Sequence, residues 1–315
     1  MILEIILLVV GFVVLILGAD RLVSGASALA RKHRISELAI GLTIVAFGTS
    51  APELVVNLVA SVEGHADIAL GNVMGSNLFN LLFILGISGL IVPLAVQSST
   101  VRKEIPMALL SGGLLFLLAN DVLWSDGNAL SRLDGFVLLA GFAYFLYYVI
   151  RMQPAQQPEQ AVEQPTYPVW KMWAYMILGL GGLVLGGNLI VNNAVLIAQA
   201  FGMSEKIIAL TIVAVGTSLP ELATSVVAAL KKNTDIAVGN IIGSNIFNIL
   251  LILGLSSIIR PLAYNTQYNI DIYIMSAGTI VLLLAMFTSK RKVLDRWEAA
   301  VLFAGYVAYV VYLLT

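Results

Sequence analysis

Cysteine is absent from the 315 residues, and histidine occurs only at His33 and His65. No disulfide, thiolate nucleophile or zinc ribbon can be built from such a chain, and two imidazoles are too few for a histidine-based metal centre. Charge is scarce as well. Asp, Glu, Lys and Arg make up 11% of the residues, against roughly a quarter in soluble domains, while 59% are hydrophobic. A chain with so few charges has no ordinary wet surface, and it reads as an integral membrane protein embedded in a lipid bilayer over nearly its whole length. The formal net charge is −1; with no basic tail and no Cys/His cluster, no nucleic-acid partner is expected, and no resident cofactor either. The opening "MILEIILLVVGFVVLILGAD" lacks a basic leader and a small-residue cleavage site. It is expected to be a first transmembrane helix and not a signal peptide.

Apolar stretches of about twenty residues, enough to cross a bilayer, fall at roughly 2–30, 36–62, 68–92, 103–120, 132–150, 170–200, 205–230, 236–259, 269–288 and 294–314. The one sizeable hydrophilic break is "RMQPAQQPEQAVEQPTYP" at 151–168, rich in Pro and Gln and without apolar period, as flexible linkers are. It separates a five-span unit at 1–150 from a second at 169–315. The units are copies. Aligning Glu53 with Glu221 sets an offset of 221 − 53 = 168, which also carries Thr49 to Thr217, Ser76 to Ser244, Asn80 to Asn248 and Asp67 to Asp235. "GLTIVAFGTSAPEL" thereby meets "ALTIVAVGTSLPEL", and "DIALGNVMGSNLFNLLFILG" meets "DIAVGNIIGSNIFNILLILG". The matched positions include the polar ones, which shared greasiness would not align.

An odd number of spans per unit inserts the second copy upside down, and the distribution of basic residues tests this separately. With the N-terminus outside, the cytoplasmic loops hold Arg21, Arg31, Lys32, Arg34, Arg102, Lys103, Arg151, Lys171, Lys231, Lys232, Lys290, Arg291, Lys292 and Arg296, and the external loops only Arg132, Lys206 and Arg260. The expected fold is therefore an all-α membrane protein of ten transmembrane helices, arranged as two inverted-topology five-helix repeats with broken helices 2 and 7 at the core. Both termini lie outside and the linker is cytoplasmic. Inverted repeats with interrupted helices are the architecture of secondary transporters, whose site lies near the midplane where the repeats meet.

The interruptions carry the chemistry. Pro52 cannot donate to the carbonyl of Gly48, and its ring displaces that carbonyl; Pro220 repeats this against Gly216. In lipid, freed carbonyls need partners, and a cation is one. Ser50, Glu53 and Asn57 share a helical face, as do Ser218, Glu221 and Ser225; the next span of each unit adds Asn72, Ser76 and Asn80, or Asn240, Ser244 and Asn248. These are carboxylate, hydroxyl, amide and carbonyl oxygens with no soft ligand, a set suited to Ca²⁺ or Na⁺. Pro kinks and Ser or Asn bonding between helices are common structural devices, but two intramembrane glutamates with no Lys or Arg in their helices are costly without a ligand. Gly71, Gly75, Gly239 and Gly243 are expected to allow close helix approach. Asp67 and Asp235 are expected to be N-caps, Asp20–Arg21 a local ion pair, and both histidines solvated.

At these residues the chain resembles the sodium/calcium exchanger family, within the cation/calcium antiporter superfamily, and looks most like its compact prokaryotic members. The resemblance runs over essentially the whole chain and rests on the paired "GTS-x-PE" and "GN-x-x-GSN-x-x-N" motifs. It implies Glu53 and Glu221 as Ca²⁺ carboxylates aided by backbone oxygens at Thr49 and Thr217. It implies Na⁺ sites using Ala46, Ser50 and Ser76 on one side and Ala214, Ser218 and Ser244 on the other, with Asn80 and Asn248 completing the ring. It also implies that the long first and sixth helices slide across the core. The expected function is a secondary active antiporter, not an enzyme, exchanging Ca²⁺ for Na⁺ by alternating access, as a monomer in the plasma membrane of a prokaryote. One position departs from the pattern: many family exchangers carry Asp where this chain has Asn248. Two carboxylates balance one Ca²⁺ but leave net positive charge with three Na⁺, so K⁺-dependent and H⁺-coupled exchange stay open, the latter ranked lower because the "GNA-x-E" pattern is absent. A passive channel using the same oxygens is the weaker alternative, since a channel wants a continuous wet pore.

Overall fold

The computed structural model describes residues 2–122, 128–152, 168–201, 214–288 and 291–314. Its long elements are helices: α1 (Ile2–His33), α2 (Glu37–Thr49), α3 (Ala51–Glu63), α4 (Ala66–Ile91), α5 (Ile105–Ala119), α6 (Arg132–Ile150), α7 (Val169–Ala200), α8 (Leu219–Leu230), α9 (Thr234–Ile259), α10 (Asn269–Ala285) and α11 (Arg296–Leu314). Among the described residues six helices are long and apolar enough to cross a membrane, or seven if α2 and α3 are taken as one span bent by 49°. The fourth expected span falls on α5, of 15 residues, and the tenth on α11, of 19. The first part of the seventh, residues 205–213, lies outside the described residues, as does most of the 151–168 linker.

The sheet content is two short pairings, each joining one half of the chain to the other. Strand β1 (Leu94–Ala95) pairs with β4 (Val293–Leu294), and β2 (Ala129–Leu130) pairs with β3 (Leu262–Ala263), both antiparallel. The offset of 168 carries β1 onto β3. The two pairings are therefore the same contact made twice with the halves exchanged, as across a symmetric interface.

Burial grades the helices. Of their most apolar windows, 94% is buried in α9 and 72% in α4, against 22% in α1 and 33% in α7. The first two are core helices, and the last two present Ile5, Val9, Val13, Ile177 and Leu185 outward. With 32 residues each, α1 and α7 are about 48 Å long, well beyond an apolar thickness of about 30 Å. They run antiparallel and backbone to backbone. A Cβ on Gly18 would meet the Leu183 nitrogen at 2.7 Å and the Gly179 carbonyl at 2.8 Å; one on Gly186 would meet the Leu15 nitrogen at 2.6 Å. Gly18 and Gly186 are themselves 168 apart. Glycine is needed here because the neighbour is rigid backbone, which cannot move aside.

The packing of the halves is otherwise unequal. Helix α1 also lies along α8, where Lys231 pairs with Asp20 at 2.6 Å and donates to Ser24 at 2.7 Å, and Asn233 donates to Ser27 at 2.7 Å. The Asp20–Arg21 pair exists but is longer, at 3.8 Å. Helix α7 makes no comparable packing against α3 among the described residues. Val55 on α3 is accordingly 60% exposed, whereas its counterpart Ala223 on α8 is 8% exposed.

Two minor expectations are corrected. Asp67 and Asp235 are not N-caps: His65 and Asn233 hold those positions, and both acids sit in the first helical turn, where the N-terminal dipole still favours negative charge. Asp235 accepts from Gln97 at 2.7 Å. Gly239 and Gly243 do allow close approach, with Cβ positions 3.0 Å from the Leu38 carbonyl and 2.8 Å from the Leu42 carbonyl. Gly71 and Gly75 make no such contact among the described residues; the counterparts of 38–42, residues 206–210, fall outside them.

Candidate cation site

Each motif breaks its helix at the serine. Ser50 ends α2 with φ −81° and ψ 6°, and Ser218 has φ −90° and ψ 6°, before α3 and α8 resume with Pro52 and Pro220 in their first turns. Proline suits that place because a first-turn N–H has no helical acceptor to lose. Glu53 and Glu221 follow one residue later, at the positive ends of α3 and α8. They are 1% and 0% exposed. The chain has therefore put two carboxylates where backbone dipoles and a bend converge, deep within the bundle.

Each glutamate is held by the opposite half. Ser218 donates to Glu53 Oε1 at 3.0 Å, and Ser50 donates to Glu221 Oε1 at 2.9 Å. Within its own half each accepts a longer bond, from Ser76 or Ser244, both at 3.4 Å. Ser218 and Ser76 also lie 3.1 Å apart. Each of the four hydrogen bonds to a carboxylate ends on Oε1. The Oε2 atoms of both glutamates are buried without a hydrogen-bond partner, and no ion pair to either is found among the described residues. A buried carboxylate with a bare oxygen is destabilising unless a cation or proton compensates it.

The neighbouring oxygens come from α4 and α9. Both helices widen by one residue per turn just past their serines, at Phe79–Ile84 and Phe247–Leu253, a distortion often found at functional sites. Asn80 and Asn248 lie in these turns, 1% and 0% exposed. Among the described residues Asn80 Nδ2 and Oδ1 and Asn248 Oδ1 lack hydrogen-bond partners. Thr49 is within 3.0 Å of Asn240 Oδ1 and 3.3 Å of the Ala46 carbonyl, which also accepts from the Ser50 N–H at 2.9 Å. Buried Thr217 Oγ1 has no partner among the described residues. Ala214 opens the short helical piece Ala214–Gly216, and its side chain is outside the described residues.

Two residues grouped with these from the sequence do other work. Asn57 accepts from Asn72 at 2.6 Å and donates to the Ala69 carbonyl at 3.0 Å, and Ser225 accepts from Asn240 at 3.0 Å. They tie each half-helix to the following helix, with their oxygens already engaged. Two buried asparagines went unassigned in the sequence reading: Asn77 and Asn245, the N of each GSN, which bond across the halves. Their signal was their place inside a repeated polar motif, directly beside the serine.

The whole chain has known counterparts. A model of the sodium/calcium exchanger protein family matches residues 3–151 and 171–315. The chain is 42% identical over 313 residues to the putative antiporter CaxA of Alkalimonas amylolytica, with 96% of each protein covered. It is 41% identical over 282 residues to the inner membrane protein YrbG of Escherichia coli K12, with 84% of each covered. A solved structure of the sodium-calcium exchanger NCX_Mj, soaked with Na⁺ and Ca²⁺, superposes with a TM-score of 0.84 at 30% identity, over 99% of this chain and 98% of that one.

Proposed function

This chain belongs to the sodium/calcium exchanger family, a family of membrane antiporters and not of enzymes, and from that premise we propose that it exchanges Na⁺ for Ca²⁺ at one site built around Glu53 and Glu221. The observation that carries the reading is the pair of bare Oε2 atoms on two carboxylates that are each held by the other half's serine. As substrate, Ca²⁺ brings two positive charges to two negative ones. The hydroxyls of Ser50, Ser76, Ser218 and Ser244, the threonines Thr49 and Thr217, the carbonyls of Ala46 and Ala214, and the amide oxygens of Asn80 and Asn248 supply the remaining hard ligands. Two Na⁺ neutralise the same pair, so the ions compete, and the empty-handed protein must bury net negative charge to cross between states. That penalty is what couples the two fluxes.

Access to one side at a time is supported by the unequal packing. The α1–α8 contact, fastened by Lys231 and Asp20, closes the face that the basic residues assign to the cytoplasm, while among the described residues α7 makes no comparable cover for the matching face beside α3. We read this as the outward-facing arrangement, with both termini outside, in the inner membrane of a prokaryote, each chain carrying a full site by itself. The test is ⁴⁵Ca²⁺ uptake into proteoliposomes loaded with Na⁺, K⁺ or neither, with pH clamped. Uptake driven by internal Na⁺ alone supports the reading. Uptake indifferent to the Na⁺ gradient sinks it, and dependence on K⁺ or on pH replaces the coupling ion.

A further inference from the structure

Asn77 and Asn245 are 168 apart and stitch α4 to α9. Each donates its Nδ2 to the other's main-chain carbonyl at 3.3 Å, and Asn77 Nδ2 also lies 3.8 Å from Met275 Sδ. They are 0% and 6% exposed. With its nitrogen so occupied, Asn77 can offer only oxygen elsewhere, and Oδ1 accepts from Asn248 Nδ2 at 2.9 Å. An amide whose nitrogen is held on one side turns its oxygen to the other, and Asn248 Oδ1 is the atom left without a partner. The repeat-related link is missing among the described residues: Asn80 has neither atom bonded there, and Asn245 Oδ1 is likewise without a partner.

We propose that Asn77 is a positioning residue of the cation site, holding the Asn248 amide so that its oxygen and not its nitrogen faces the transported ion. The proposal rests on the reading of Asn248 as a ligand. The chain of constraint starts outside the site, at the Asn245 carbonyl, which fixes the Asn77 amide. That fixes which atom Asn77 shows to position 248. Were the Asn248 amide to turn over, an NH₂ group would point at a cation, and two carbonyl oxygens would sit 2.9 Å apart at the Asn77 contact. The same geometry calls for a hydrogen-bond donor at position 248, which an asparagine supplies and an ionised aspartate does not. The neutral residue in this chain thus matches the partner behind it.

Partners that orient a metal ligand typically contribute 10- to 100-fold in affinity. Asn77→Ala in the full-length purified protein is expected to raise the Ca²⁺ Kd, measured by calorimetry, by about tenfold. In an Asn248→Ala background the same substitution is expected to add nothing, because no amide is left to orient. Asn245→Ala loses an equal cross-link between α4 and α9 but not the bond to Asn248, and its effect is expected to be equal in both backgrounds. Should Asn77→Ala not yield monodisperse protein, Asn77→Ser, too short to reach Asn248, is put through the same cycle. An Asn77 effect that persists undiminished without Asn248, or an Asn77→Ala protein with wild-type affinity, overturns the positioning role while leaving the site intact. Wild-type affinity in Asn248→Ala itself would remove the ligand reading and the positioning role together.

Discussion

Replacing either glutamate by glutamine separates the cost of the site from its purpose. Glu53 Oε1 accepts from Ser218 and Ser76, and Glu221 Oε1 from Ser50 and Ser244. A glutamine keeps an oxygen for those hydroxyls and the same volume, so nothing in the local bonding is lost. What is lost is one buried negative charge whose Oε2 has no hydrogen-bond partner among the described residues. Removing an uncompensated buried charge is neutral or stabilising. In ion-free buffer, Glu53→Gln and Glu221→Gln are therefore expected to be at least as heat-stable as wild type.

Added Ca²⁺ reverses the order. A ligand at about 100 times its Kd stabilises the folded state by about 2.7 kcal/mol. At about 2–4 °C per kcal/mol for a chain of comparable size, the wild-type Tm should rise by about 5–10 °C. Either glutamine variant leaves one carboxylate against a divalent ion. A unit charge about 4 Å from a divalent ion is worth about 8 kcal/mol at an effective dielectric constant near 20, which is about a million-fold in affinity. At the same Ca²⁺ concentration the shift should disappear, and with it Na⁺-driven ⁴⁵Ca²⁺ uptake. The assay is thermal unfolding in detergent across a Ca²⁺ titration, paired with uptake in vesicles. A full Ca²⁺-induced shift in both variants, or a large loss of ion-free stability in either, would refute the reasoning, since the carboxylates would then be structural.

Other consequences are quicker to state. Gly18→Leu drives a side chain into backbone 2.7 Å away on α7; overpacking of this kind costs about 1–3 kcal/mol, and the variant should show a lowered Tm and little uptake. Lys231→Ala breaks a half-exposed pair with Asp20, worth at most about 1 kcal/mol. Its Tm should barely move, while the ratio of external to cytoplasmic apparent Ca²⁺ affinity changes up to about fivefold, an effect that salt should imitate. The absence of native cysteine makes single-site labelling clean: Gln160→Cys should react with an impermeant maleimide only from the cytoplasmic side, and labelling from outside would invert the topology.

Much of the architecture is legible in the sequence because membrane burial and duplication each leave a strong signal. Apolar runs mark the spans, and the offset of 168 aligns Glu53 with Glu221 through polar residues that no hydropathy pattern would match. The core of the candidate site is legible for the same reason: an intramembrane carboxylate beside a proline break has few structural explanations. What the pattern hides is who bonds to whom across the halves. Ser50 and Glu53 share one helical face, yet Ser50 bonds Glu221 and Ser218 bonds Glu53, a crossing that only tertiary packing decides. Asn57 and Ser225 share the face and still bond away from the site. Spacing places a residue on a stripe; it does not say which neighbour takes its oxygen.

The duplicated motifs also carry unequal bonds, and the inequality has a direction. Among the described residues Thr49 meets Asn240 while Thr217 Oγ1 has no hydrogen-bond partner, Asn248 meets Asn77 while Asn80 has none, and α1 packs along α8 while α7 makes no comparable packing against α3. If the halves exchange roles during transport, the bonds missing here are those of the opposite state, where Asn245 would hold Asn80 as Asn77 now holds Asn248. The expected outcome is side-specific coupling. Asn77→Ala and Asn248→Ala should be non-additive for Ca²⁺ presented from outside, whereas Asn245→Ala and Asn80→Ala should be non-additive for Ca²⁺ presented from the cytoplasm. Both couplings read out in oriented vesicles, as apparent affinities measured from each side. Equal coupling of both pairs on both sides would mean that the asymmetry belongs to this arrangement alone, and that the two halves do not trade places.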